Sequence, residues 1–129
     1  MSVKVKFVFE GVGTVIGELN PDKSPKTYEL IVKALPFEST AYRWGEEVYF
    51  STPVSMGEEN AVEVVDYGTI AYWPPGNALC LFFGPTPVSR SPNEIRPYSP
   101  VNVLGKVIEG IELLKRVQSG VRVRVELMK

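Results

Sequence analysis

Two short apolar runs on either side of a four-residue turn sequence constrain this chain more than any other feature. Thr69–Trp73 and Leu79–Phe83 are β-prone and flank Pro74-Pro75-Gly76-Asn77. Proline presets φ for a turn and glycine accepts positive φ, so the spacing predicts that the chain reverses there. Reversal brings Tyr72, Trp73, Phe82 and Phe83 together beside rigid prolines, the makeup of an aromatic pocket. Neighbours on a strand face opposite ways, so Phe82 and one of the Tyr72/Trp73 pair are expected in ordinary core.

The rest of the sequence supplies more strands. Val3, Val5, Phe7 and Phe9 alternate with Lys4, Lys6 and Val8, and a turn at Glu10–Gly13 leads into a strand over Thr14–Leu19. Val121, Val123, Val125 and Leu127 alternate with Arg122, Arg124 and Glu126 in a last strand. Shorter β-prone segments lie at Phe37–Arg43, Glu47–Thr52, Ala61–Val65 and Val101–Val107. Two helices are expected. Ser24 caps the first, Pro25 opens it, Thr27, Leu30, Ile31, Ala34 and Leu35 form its inner face, and Pro36 stops it. The second spans Glu109–Ser119, with Gly110, Leu113, Leu114 and Val117 inward, acids near its start, Lys115 and Arg116 near its end, and Gly120 beyond. The proline-rich run Gly84–Pro100 is long for a loop, so it is expected to cover or bind something. Many short strands and two helices predict one domain over residues 1–129, a closed or nearly closed antiparallel barrel with helices over its ends.

Several functional classes are excluded or disfavoured. The chain has no histidine, which removes the commonest general base, the usual metal ligand and any Ser-His or Cys-His nucleophile pair. The single cysteine, Cys80, lies among apolar residues and is expected to be inert packing, in keeping with a reducing compartment. Gly11, Gly13 and Gly17 precede no helix start and no Lys-Ser/Thr ending, so they form no phosphate loop. No apolar run approaches the ~20 residues that span a bilayer, and the N-terminus has no signal-peptide core. A cytoplasmic location without membrane association is expected. Lys4, Lys6, Arg122 and Arg124 read as solvent-facing strand charges that discourage edge pairing. No aromatic residues interleave with them, so nucleic acid is not an expected partner. No cofactor or metal is expected.

Net charge is −1, unevenly spread. Trp44–Ser89 contains no Lys or Arg but holds Glu46, Glu47, Glu58, Glu59, Glu63 and Asp66. Glu46 and Glu47 point to opposite faces of a strand and make no chelating pair. The acids read either as solvated faces or as a rim favouring cationic or neutral ligands.

Three motifs in this order resemble the cyclophilins. Gly17–Thr27 resembles that family's early strand followed by Pro-Lys-Thr at a helix start. Leu81-Phe82-Phe83 resembles its Gln-Phe-Phe strand. Val101–Leu114 resembles its Val-Val-Phe-Gly-Lys-Val-x-Glu-Gly run. Tyr72–Asn77 and Phe82–Pro87 look more like a small, functionally uncharacterised prokaryotic cyclophilin-like family. The resemblance implies a mainly β fold, a closed antiparallel eight-stranded barrel with a helix at each end.

The family isomerises the bond before proline with an arginine that stabilises a twisted amide, an electrostatic device. The corresponding segment here, Glu47–Pro53, has no arginine. Arg43 is the nearest, beyond the Trp44-Gly45 turn, and a surface ion pair with a nearby glutamate is an equal alternative for it. The family's pocket His and Trp have no match around Arg96–Pro100. Phe83 matches the second Phe of Gln-Phe-Phe, and Phe50 stands for the Phe of Pro-Gly-Phe. The expectation is a small-molecule or short-peptide binder, not an enzyme, with a groove of Phe50, Tyr72, Trp73 and Phe83. Pro74 and Asn77 shape its rim, and Glu47 and Arg43 are polar contacts. The alternatives are a prolyl isomerase with a rearranged site and a structural interaction module.

Overall fold

The computed structural model describes residues 1–128. Nine strands form one antiparallel sheet: β1 (Val3–Phe9), β2 (Gly13–Leu19), β3 (Phe37–Thr40), β4 (Tyr42–Arg43), β5 (Glu47–Ser51), β6 (Thr69–Trp73), β7 (Ala78–Phe82), β8 (Asn102–Glu109) and β9 (Arg122–Leu127). Their spatial order is β3-β9-β1-β2-β8-β6-β7-β5-β4. The first strand of this order, β3, meets the last strand but one, β5, where Ser39 Oγ lies 3.3 Å from Ser51 Oγ, so the sheet is a nearly closed barrel. The ninth strand arises because the expected segment Phe37–Arg43 breaks at Ala41, whose backbone binds Val121 and Gly120 instead. Ala61–Val65 is no strand. It contributes only the isolated bridges Val62↔Val101 and Val65↔Ile95.

The hairpin forms as its turn residues require. Pro74–Gly76 make one 3-10 turn, Asn77 takes the left-handed conformation at φ 49°, and Tyr72 pairs with Leu79 across the strands. A Cβ on Gly76 would sit 2.6 Å from the Trp73 ring, so glycine lets that indole lie over the turn.

Helix α1 (Pro25–Ala34) buries Thr27, Tyr28 and Ile31, whereas Leu30 is exposed, so its inner face is turned from the expected one. Ser24 occupies the N-cap position but its side chain makes no capping bond. The cap comes from far along the chain. Glu59 accepts the N–H groups of Lys26 (3.0 Å) and Thr27 (2.9 Å) and the Thr27 hydroxyl (2.7 Å). Burial works against the Glu59 carboxylate, but the N–H groups of Thr27 and Lys26 hold its pKa below the ordinary value. Buried Asn102 accepts from Glu59 N–H and donates to Gly57 O and Thr27 Oγ1, fixing this loop between α1 and β8.

The second expected helix is a six-residue 3-10 helix, Ile111–Arg116. Glu109 ends β8 instead, because Gly110 turns the chain at φ 82°. Leu114 and Val117 are buried as expected.

The inner faces of the strands fill the barrel with Phe7, Phe9, Leu19, Phe50, Tyr72, Leu79, Leu81 and Leu104, among others. A second, smaller core lies outside, where Ala71, Cys80 and Phe82 on β6 and β7 meet Val65, Ile95 and Val101. Strand parity divides the two cores. The basic stripes lie on strands inside the sheet order, not at its edges. Lys6 and Arg124 pair with Glu126, and Arg122 and Arg124 pair with Glu38.

Candidate functional site

The outer face of β5, β7 and β6 presents Glu47 and Tyr49, Cys80, and Trp73. The proline-rich segment crosses over them and adds Pro97 and Tyr98. With Trp44 and Val101 these residues enclose a pocket of about 170 Å³. The long segment therefore covers something, as its length demands. It is internally tied by Ser89 Oγ, which accepts the N–H groups of Thr86 (2.9 Å) and Arg96 (3.1 Å).

Aromatic rings make most of the wall. Tyr98 stands between the two indoles, 5.9 Å from Trp44 at 70° and 6.0 Å from Trp73 at 87°. Rings at these angles meet as adjoining walls, the edge-to-face geometry aromatic pairs prefer. Trp73 Nε1 donates to Ser99 Oγ at 2.7 Å, which fixes its indole against the covering segment. Tyr98 is 71% exposed and forms the outer lip.

Glu47 is the one charged group of the lining, and only 6% of it is exposed. Burial raises its pKa from 4.5 to about 7, with a hydrogen bond to the Cys80 thiol opposing the rise. Burial, and then the charge of Glu47, push the Cys80 thiol well up, so it stays protonated and is no nucleophile. Burial and the Glu47 charge also raise the pKa of Tyr49. Among the described residues Glu47 forms no ion pair, and no acidic or cysteine cluster suited to a metal ion occurs.

The structure separates the eight residues expected at the site. Glu47 and Trp73 line the pocket. Phe50, Tyr72 and Phe83 are buried in the barrel core on the other side of the sheet. Glu47 and Phe50 are three apart on one strand, and Tyr72 and Trp73 are adjacent, so neither pair can share a face. The Tyr72 hydroxyl is fully used inside, donating to Val54 O at 2.6 Å and accepting from Met56 N–H at 3.1 Å. Half-buried Pro74 and exposed Asn77 form the hairpin end and do not line the pocket.

Arg43 takes the ion-pair role, bound to Glu46 at 3.1 Å. Its guanidinium also donates to Gly45 O (3.0 Å), Lys115 O (3.2 Å) and Val117 O (3.1 Å) and lies 5.0 Å from the Phe83 ring centre. It thus caps the end of the 3-10 helix, away from the pocket. The acidic window does not form a common rim. Glu46 pairs with Arg43, Glu59 caps α1, Asp66 lines a separate polar depression, and Glu47 alone enters the pocket.

Trp44, Tyr49, Cys80, Pro97, Tyr98 and Val101 complete the lining beyond the expected set. Tyr49 was readable from its parity with Glu47. Tyr98 carried only its position in the covering segment as a signal.

The cyclophilin-like family model matches residues 3–126. Among solved structures, a hypothetical protein from Archaeoglobus fulgidus, determined in solution, is 44% identical. It superposes with a TM-score of 0.85 over 98% of this chain and 95% of its own. No curated protein matches. The chain belongs to the cyclophilin-like family.

Proposed function

We propose, with membership of the cyclophilin-like family as the premise, that this chain binds a small molecule or the side chain of a short peptide in the pocket of Trp44, Tyr49, Trp73 and Tyr98, with Glu47 as its polar anchor and without prolyl isomerase catalysis. The observation that carries this reading is Glu47 itself. A carboxyl buried among aromatic rings without a countercharge is costly, and it opens onto this aromatic pocket. The cavity is smaller than the ~300–1,000 Å³ that takes a whole drug-sized ligand. It fits one compact group, with the rest of the ligand lying over Tyr98.

An isomerase reading needs a free donor aimed at an amide. Arg43 is engaged by four backbone carbonyls, those of Gly45, Leu114, Lys115 and Val117, and by Glu46. Arg96 is held by Glu94 at 3.1 Å.

Both tryptophans of the chain line the pocket, so intrinsic fluorescence reports on it directly. A screen of small molecules and proline-containing peptides is expected to yield ligands that shift the emission, with the response lost in Trp73→Ala. If nothing in a broad screen shifts it while Trp73→Ala remains folded, the pocket is ordinary packing.

A further inference from the structure

We infer that the pocket receives an organic ammonium group, a quaternary or N-alkylated cation, walled by Trp44, Trp73, Tyr98 and Tyr49 and neutralised by Glu47, an inference that rests on the pocket taking a ligand at all. Four observations lead there. The lining holds a single formal charge, negative, and that carboxyl is 6% exposed with no ion-pair partner among the described residues. The nearby cations are committed elsewhere, Arg43 to Glu46 and the 3-10 helix, Arg96 to Glu94. No Lys or Arg occurs between Trp44 and Ser89. The rings meet near right angles as walls of a box, and aromatic faces attract cations through their quadrupole.

The competing occupants fit less well. A divalent metal needs several oxygen ligands, and the lining offers one carboxylate. A primary ammonium is strongly hydrated and would exchange its water for mostly apolar walls whose one charged acceptor is Glu47. An alkylated ammonium spreads its charge over methyl groups that match those walls. The volume of about 170 Å³ suits such a headgroup.

The same geometry couples binding to pH. Glu47 faces Cys80 from β7, Tyr49 from its own strand and Tyr98 from the covering segment. Burial keeps the thiol and Tyr49 protonated near neutrality, so Glu47 supplies the charge that changes. Cation affinity should rise with pH as Glu47 ionises.

Choline and 3,3-dimethylbutan-1-ol have nearly the same shape and differ in charge, which makes them the probe pair. Binding is followed by tryptophan emission and by the indole N–H signals in two-dimensional NMR. Choline is expected to bind about tenfold tighter or more than the alcohol. The advantage should grow from about pH 5.5 to about pH 8.5 and disappear in Glu47→Gln. Equal binding of the two compounds overturns the cation inference and leaves the ligand-pocket reading standing. Binding of neither also overturns it, and the broader fluorescence screen then decides the pocket itself. The comparison on the wild-type protein, with its pH profile, needs no variant to fold.

Discussion

Glu47 makes the fold of this protein pH-dependent in a direction opposite to that of most carboxylates. Its pKa is raised by burial from 4.5 to about 7. Between those values the folded chain holds a proton that the unfolded chain releases. Stability therefore falls as pH rises through this window, since stability rises with pH only where the unfolded state binds more protons. At about 1.4 kcal/mol per tenfold change in an acid constant, the cost is about 1 kcal/mol at pH ~5 and about 3 kcal/mol at pH ~7 and above. Glu47→Gln keeps the shape and removes the titration. Urea unfolding of both proteins between pH ~4.5 and ~8.5 is the assay. The difference in unfolding free energy should move toward the Gln variant by about 3 kcal/mol across this range. Glu59, Glu94 and Glu126, whose pKa values are lowered, lose stabilising charge at the acid end, but they are common to both proteins and cancel in the difference. A difference that stays constant with pH would refute the argument, because it would mean that the Glu47 carboxyl ionises as it does in water.

Tyr72→Phe should lower stability by about 1 kcal/mol, because it removes the hydroxyl's bonds to Val54 O and Met56 N–H and leaves Val54 O only the longer bond from Thr52 Oγ1, and urea denaturation measures it. The ligand response of the tryptophans should survive that substitution, since Tyr72 faces the barrel interior. Arg43→Ala should lower stability through the freed carbonyls of Lys115 and Val117. In a protease-coupled assay on an Ala-Pro peptide, both the wild type and this variant should run at the uncatalysed rate. Catalysis that Arg43→Ala abolishes would return the protein to the isomerases.

Much of the fold was legible because it follows period and turn chemistry. The alternation in Val3–Phe9 and Arg122–Leu127 became paired strands, and Pro74–Asn77 became the turn between β6 and β7. What failed was local pattern without its tertiary context. Glu109–Ser119 has helical spacing, but Gly110 in a left-handed conformation lets β8 run through Glu109 and leaves room for a 3-10 helix only. The Ser24 cap was readable, yet Glu59, thirty-odd residues away, supplies the bonds, and no local motif encodes that. Of the aromatic hairpin, Trp73 lines the outer pocket. Parity requires one of Tyr72 and Trp73 to enter the core but does not say which; the barrel takes Tyr72 with Phe50 and leaves Trp73 with Glu47 outside it. The outer wall depends on where residues 84–100 cross the sheet, and a proline-rich segment carries no periodicity from which that path could be read.

The pocket and the covering segment belong to one energetic arrangement. An outer sheet face would normally be solvated, and a carboxyl at position 47 would ionise there at no cost. The crossing of Pro97 and Tyr98 removes water from Glu47, and the β5–β7 pairing sets Cys80 in place of a donor strong enough to stabilise the charge. About 3 kcal/mol is a large share of the ~5–15 kcal/mol by which folded domains are stable. Glutamine at this position would keep the packing without that cost. A charge retained at such expense, facing a cavity of aromatic rings, is the local conflict between stability and sequence that functional sites display. A bound cation would relieve it by supplying a countercharge in place of the water that folding removes. Ligand binding should then stabilise the protein more at pH ~8 than at pH ~5.5, by thermal unfolding with and without choline. Stabilisation of equal size at both values would break the link between the buried charge and the pocket.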